Sequence, residues 1–204
     1  PEVAHLRHQP QLLSLVHLFT LAWGSVITIG ALHQLAPVIL ATRLYSVRVG
    51  WLSLATFVPG SFLIAVSFFD FWLPGVIGGA VLAVLGAALV AHNLWRTRAG
   101  SGERSLTERF ILASVAALLL TLSLGFTLAV VLRFGGGDAT SLLGVHVFLG
   151  GVGWFTGIII GVSYRLVPMF ILSHGNGERL GHVVLGLLYA GVAFGMIAGL
   201  RSGD

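Results

Sequence analysis

The sequence predicts an all-α membrane protein, built as a bundle of about six transmembrane helices. Hydrophobic residues make up 56% of the 204 residues and charged residues only 9%, and the mean hydropathy is +0.98. These values lie far outside the usual range of soluble domains. Because the sequence lacks strands of alternating apolar and polar residues, a transmembrane barrel is disfavoured.

Six apolar runs are long enough to cross a bilayer as helices. At a rise of about 1.5 Å per residue, about 20 residues cover a hydrocarbon core about 30 Å thick. The runs cover residues 12–35, 50–69, 74–95, 109–132, 142–164 and 180–200. We therefore expect one transmembrane domain over residues 1–204.

The distribution of arginines predicts the orientation of the chain. All eleven basic residues are arginines. Three of them (Arg7, Arg133 and Arg201) fall on the side that holds both termini, and eight fall on the other side. Because cytoplasmic loops are enriched in basic residues, both termini are predicted to be external, in the cytoplasmic (inner) membrane of a prokaryote. The net charge of +4 then reflects topology and gives no support to nucleic-acid binding.

The acidic residues and the cysteine count disfavour several classes of protein. All seven acids, Glu108 among them, are predicted to lie in connections or at the termini. Proton pumps and ion-coupled carriers usually place a carboxylate within the bilayer, so these functions are disfavoured. The sequence contains no cysteine, which excludes iron–sulfur clusters and covalently attached c-type haem.

Two histidines are the candidate metal ligands. His17 and His146 begin the apolar segments HLFTLAWGSVITIGALHQLAP and HVFLGGVGWFTGIIIGVSYRLVP. The first and fifth predicted helices run in the same direction, and each histidine comes one to two turns after its helix begins. We therefore expect the two imidazoles to lie at similar depth, where they can ligate a flat metal macrocycle from both faces.

Small residues near these histidines leave room for a porphyrin ring. At 100° per residue, the helix face that carries His146 continues through Gly150 and Gly153. The corresponding face of the first helix includes Gly24. Glycines four apart also mediate helix packing in membranes, so the same pattern is compatible with a purely structural role.

Further residues complete the predicted cofactor sites. Arg133, at the outer end of the fourth helix, is the best-placed cation for the propionates of a haem. His33 and His92, at the cytoplasmic ends of their helices, form a second candidate site, although interfacial histidines more often serve as amphipathic edge residues. We expect one haem b, or two if this second site is occupied.

The two histidine-led segments also indicate an internal repeat. Aligning Trp23 with Trp154 places Gly30 on Gly161 and Pro37 on Pro168. We call the sequence distance from Trp23 to Trp154 the repeat offset. It spans four of the predicted helices.

Histidine-led helices that recur every four helices resemble those of the haem–copper oxidase subunit I superfamily, which includes nitric oxide reductase large subunits and oxidase-like membrane proteins. The resemblance implies that His17 matches a haem-ligand position and that His146 matches the first histidine of an H-x-H ligand motif. Phe148 stands where that motif has its second histidine, and the copper-site pattern H-P-x-x-Y is absent from the sequence. Six helices are also only about half of the superfamily's usual number. The resemblance therefore implies haem binding more than the reduction of oxygen or nitric oxide.

These observations favour a b-type cytochrome that carries electrons within a respiratory or photosynthetic complex. Its expected partners are the other subunits of that membrane redox complex and the lipid bilayer. Two alternatives remain open at this point: a cofactor-free structural subunit derived from an oxidase-like ancestor, and a chlorophyll-binding subunit. A complete oxygen or nitric oxide reductase is not expected from this chain.

Overall fold

The computed structural model describes residues 9–100, 105–172 and 178–201, and all regular elements within them are helical. His5, Arg7, His8 and His174 lie outside the described residues. The described chain forms six helices, each long and apolar enough to cross a membrane: α1 (Pro10–Ile39), α2 (Val47–Phe69), α3 (Leu73–Ala99), α4 (Leu106–Phe134), α5 (Ala139–Phe170) and α6 (Glu178–Arg201). The prediction of an all-α membrane bundle is confirmed.

Helices α4 and α5 begin before the predicted apolar runs because polar residues cap their first turns. Helix α4 begins at Leu106, where the Ser105 hydroxyl accepts a hydrogen bond from the Glu108 backbone N–H at 3.2 Å. Helix α5 begins at Ala139, where the Asp138 carboxylate accepts bonds from two backbone N–H groups. Such caps satisfy amide donors that have no partner within the helix itself, and apolar periodicity does not show them.

Glu108 corrects one expectation from the sequence. It lies in the first turn of α4, not in a connection, and it is 2% exposed. Its carboxylate forms an ion pair with Arg98 near the end of α3. Burial of this carboxylate is tolerated because a cation neutralises it.

Packing follows the order of the helices along the chain. Helices α2 and α3 make the most extensive contact, and glycines bring their backbones together. A Cβ atom added at Gly60 would lie 2.7 Å from the Ala83 nitrogen and 2.8 Å from the Gly79 oxygen. The main buried cluster is formed by α1 to α4 together with Trp154 and Ile158 of α5, whereas α6 contributes little to the core.

Helices α1 and α5 each contain an internal π-helical segment. These segments cover Leu18–Ser25 and Leu149–Thr156, and their positions differ by the repeat offset. In each segment the last side chain donates a hydrogen bond to the carbonyl five residues earlier: Ser25 to Thr20 at 2.8 Å, and Thr156 to Gly151 at 3.0 Å. The left-handed residues Ala41 and Leu172, which follow these helices, are separated by the same offset.

Candidate functional site

The rings of His17 and His146 face each other across the bundle. Their centroids are 6.4 Å apart and their planes differ by 24°. Both histidines lie in the α-helical turn that precedes the π-helical segment of their helix. The structure thus brings together the two residues that the sequence predicts at matched depth.

Both rings are oriented by a backbone carbonyl. The Nδ1 atom of His17 lies 2.7 Å from the Leu13 oxygen in the same helix. The Nδ1 atom of His146 lies 2.9 Å from the Thr121 oxygen in α4. Because a carbonyl oxygen only accepts hydrogen bonds, Nδ1 carries the proton in each ring. In the neutral imidazole, Nε2 then keeps its lone pair, which is the form that binds a metal.

The centroid separation of the two rings is one that a metal ion held between them would require. Two imidazoles bound end-on to one ion, with nitrogens at about 2.0 to 2.1 Å, place their ring centroids about 6 to 6.5 Å apart. The observed separation of 6.4 Å falls in this range. Hydrogen bonds from Nδ1 to carbonyl groups are also the usual way in which proteins orient histidine ligands.

An apolar cavity of about 290 Å³ surrounds the two rings. Its size is close to the lower end of the range for pockets that enclose small molecules, about 300 to 1,000 Å³. The side chains with polar atoms that border it are those of the two histidines, Thr20, Ser25, Thr121 and Trp154, and none of its described lining residues is charged. The walls therefore suit the apolar body of a macrocycle better than a charged solute.

Residues of α2 and α4 complete the surroundings of the histidines, and sequence analysis did not identify them. The Phe68 ring lies 4.7 Å from the His17 ring, centroid to centroid. A Cβ atom added at Gly125 would lie 2.9 Å from Cε1 of His146. Gly125 is the single glycine of α4, and an isolated glycine within a long helix is a sequence signal for such a close approach.

Trp154 links the two histidine-bearing helices beside the cavity. It is 1% exposed, and its indole N–H donates a hydrogen bond to the Ser25 hydroxyl at 3.1 Å. Ser25 in turn donates to the Thr20 carbonyl. The hydrogen bond between Trp154 and Ser25 thereby connects the two π-helical segments at the wall of the cavity.

The three glycines proposed to make room for a cofactor have different surroundings. Gly150 borders the cavity and lies against Thr121. A Cβ atom at Gly24 would meet the Phe155 ring at 3.2 Å. A Cβ atom at Gly153 would meet the Ala117 Cβ atom at 2.9 Å. Gly24 and Gly153 are not among the lining residues, so in this structure they serve helix packing.

Arg133 also lies outside the lining of the cavity. Its guanidinium carbon is 5.2 Å from the centroid of the Phe134 ring at the end of α4, and its side chain is exposed. An anionic group in the cavity would therefore have to extend beyond the described lining residues to reach this cation.

His33 and His92 have separate neighbours. The Nδ1 atom of His33 lies 2.9 Å from the Ile29 oxygen, and its buried Nε2 atom has no hydrogen-bond partner among the described residues. His92 is exposed and packs edge-on against the Tyr45 ring. Among the described residues, no contact is seen between the rings of His33 and His92. The described ranges also contain no group of three or more His, Cys, Asp or Glu residues that could hold a metal ion.

Comparison of the chain with models of known protein families, with curated proteins and with solved structures finds no match.

Proposed function

We propose that the chain is a b-type membrane cytochrome that holds one haem between His17 and His146. The observation that carries this proposal is the pair of facing imidazoles, 6.4 Å apart, each with Nδ1 bonded to a backbone carbonyl. In this role the protein is an electron-transfer subunit of a respiratory or photosynthetic complex in a prokaryotic cytoplasmic membrane.

The residues around the cavity have defined roles in this proposal. His17 and His146 hold the iron through Nε2, and the carbonyls of Leu13 and Thr121 keep both rings oriented. Phe68 and Trp154 exclude water from the apolar pocket. When bound there, a haem would supply one-electron transfer.

We also propose that helices α1 to α4 form one unit of a four-helix repeat and that α5 begins a second unit, in the manner of the haem–copper oxidase subunit I superfamily. Three features that recur at the repeat offset support this: the π-helical segments, the side-chain bonds that end them, and the left-handed residues Ala41 and Leu172. Independent insertion of two such segments at matching positions is an improbable coincidence, because π-helices are rare.

The first test is a reduced-minus-oxidised absorption spectrum of the protein purified with its native partners, for the wild type and for His17→Ala and His146→Ala. We expect α and Soret bands of six-coordinate haem b in the wild type. Each substitution should lower the haem affinity by at least about tenfold, since even residues that only support a ligand contribute that much. His182→Ala is the control, because His182 is exposed, does not border the cavity and belongs to neither candidate site.

The same preparation distinguishes the competing functions. Unchanged spectra in both histidine variants would contradict the proposal. A featureless wild-type spectrum at full haem supply would favour a cofactor-free structural subunit. Extracted chlorophyll in place of haem would favour a pigment-binding subunit.

A further inference from the structure

The carbonyl of Gly153 is passed over where α5 returns from π-helical to α-helical bonding. The Gly157 N–H, which directly follows the π-helical segment, bonds to the carbonyls of Val152 and Trp154. The bond to Val152 spans five residues, as in a π-helix. Gly153 is buried, and a buried backbone carbonyl requires a hydrogen-bond donor. We therefore expect the donor to Gly153 to come from another helix.

Tyr189 of α6 reaches this carbonyl because Gly157 leaves room for it. The Tyr189 hydroxyl lies 3.2 Å from the Gly153 oxygen and 2.8 Å from the Ser114 hydroxyl of α4. A Cβ atom added at Gly157 would overlap the Tyr189 hydroxyl and would lie 2.7 Å from the Ser114 Oγ atom. The glycine at the end of the π-helical segment thus allows α4 and α6 to meet α5 at this point.

The directions of these hydrogen bonds follow from the number of protons. Each hydroxyl has one proton to donate. The Ser114 hydroxyl also lies 2.8 Å from the Phe110 carbonyl, but that carbonyl already has an N–H partner within the α-helix. Both carbonyls are satisfied when Ser114 donates to Tyr189 and Tyr189 donates to Gly153. We call these two hydrogen bonds the Tyr189 contact.

The Tyr189 contact lies directly behind the wall of the cavity. Trp154 follows Gly153 in the chain, lines the cavity and donates a hydrogen bond to Ser25 of α1. His146 lies in the turn before the π-helical segment. A return of this segment to α-helical bonding would rotate Trp154 relative to His146 about the helix axis, because the two kinds of helix differ in residues per turn.

We infer that Tyr189 is a positioning residue: it holds the π-helical segment of α5 and thereby sets the places of Trp154 and His146 at the cavity. Its effect on haem binding rests on the proposed function. Its effect on Trp154 does not, and the two effects are measured separately.

Fluorine NMR of the haem-free protein, labelled with 5-fluorotryptophan, tests the effect on Trp154. The chain contains five tryptophans, and Trp154→Phe identifies the resonance of Trp154. We expect Tyr189→Phe to shift this resonance and to leave the other four in place, because the substitution removes the hydroxyl and keeps the ring. Tyr164→Phe is the matched control, since the Tyr164 hydroxyl makes no hydrogen bond among the described residues.

Ser114→Ala provides a second variant that also interrupts the Tyr189 contact. It should shift the Trp154 resonance as well. Combining it with Tyr189→Phe should add little, because the two residues belong to one hydrogen-bond network.

Haem titration and EPR spectroscopy of the ferric protein test the effect on the proposed haem site. Tyr189→Phe should lower the haem affinity by about tenfold or more, as does the loss of other groups that support a metal ligand. The haem that remains bound should show a shifted low-spin EPR signal, because this signal depends on the angle between the imidazole planes, which is 24° here. A general loss of stability would lower the amount of bound haem without shifting the signal.

A Trp154 resonance that stays in place in both Tyr189→Phe and Ser114→Ala would overturn the inference. An unchanged haem affinity and EPR signal in Tyr189→Phe would overturn it too, given a wild type that binds haem. A wild type that binds no haem would refute the proposed function alone, and the fluorine spectra would still decide whether Tyr189 positions Trp154.

Discussion

The two histidines of the cavity are oriented by different parts of the molecule. His17 bonds to a carbonyl one turn earlier in its own helix, whereas His146 bonds to Thr121 in the neighbouring α4. The ring of His17 is therefore fixed locally, but the ring of His146 depends on how closely α4 approaches α5. Gly125 is the residue that permits this approach.

We predict that Gly125→Ala displaces His146. The added methyl group would lie 2.9 Å from Cε1 and 3.4 Å from Nδ1 of the ring. The distance to Cε1 is too short for a Cβ atom, so the His146 ring has to move. The expected result is a haem affinity about tenfold lower or more, comparable to the loss of a group that orients a metal ligand. Haem titration of the purified protein, followed at the Soret band, measures it.

Gly144→Ala is the matched control for this prediction. It adds the same methyl group two residues from His146, and nothing lies within 4 Å of that position in the described chain. Equal haem affinities for the two alanine variants would show that the contact between Gly125 and His146 does not matter for binding.

At the residue scale, the sequence predicted that His17 and His146 lie near each other, but it did not predict the residues that contact their rings. Helix direction and depth suffice to bring His17 and His146 to the same level of a bundle. The contacts of Phe68 and Gly125 with the histidine rings depend on how α2 and α4 are rotated about their axes. This rotation cannot be predicted from the sequence, because these helices have no polar face that would indicate it.

At the scale of the elements, the π-helical segments explain which residues line the cavity. The projection of α5 at 100° per residue places Gly153 beneath His146, but this angle applies only to an α-helix. The wider turn of a π-helix shifts the following residues around the axis. As a result Trp154 lines the cavity with Gly150, and Gly153 packs against Ala117. No pattern in the sequence predicts this change from α-helix to π-helix.

The start of α5 gives a prediction about pH. A hydrogen bond from the Ser141 side chain, together with backbone N–H bonds from Ser141 and Thr140, holds the pKa of Asp138 below its ordinary value. The Asp138 carboxylate therefore stabilises the folded state above its ordinary pKa of about 3.9, and this contribution is lost as the pH falls through the lower folded-state value.

We accordingly expect Asp138→Ala to lower the Tm in detergent at neutral pH, with the difference from the wild type shrinking as the pH falls below about 4. Asp138→Asn is the control, because asparagine also caps helices but carries no charge. Its Tm relative to Asp138→Ala should change little over the same pH interval. A constant Tm difference between the wild type and Asp138→Ala at all pH values would refute this role.

For the molecule as a whole, length and hydropathy were sufficient to predict six spans, since each run needs only to match the bilayer thickness. The helix ends were less predictable, because Ser105 and Asp138 add polar first turns. The repeat offset was visible in Trp23 and Trp154, but the matching π-helical segments were not.

The orientation of the bundle determines on which side of the membrane the candidate site lies. His17 and His146 lie near the N-terminal ends of α1 and α5, so the site is close to the outer face only if both termini are external. The distribution of three arginines against eight predicts this orientation, because basic connections are retained on the cytoplasmic side.

Cysteines introduced one at a time can test this orientation, because the sequence contains no cysteine of its own. Thr140→Cys marks the start of α5 and Ala99→Cys marks the end of α3, and both positions are exposed. A membrane-impermeant maleimide added to intact spheroplasts should label the cysteine at position 140, and it should reach position 99 only after permeabilisation. The reverse labelling pattern would place the histidine pair near the cytoplasmic face, so that a haem held there would exchange electrons with cytoplasmic partners.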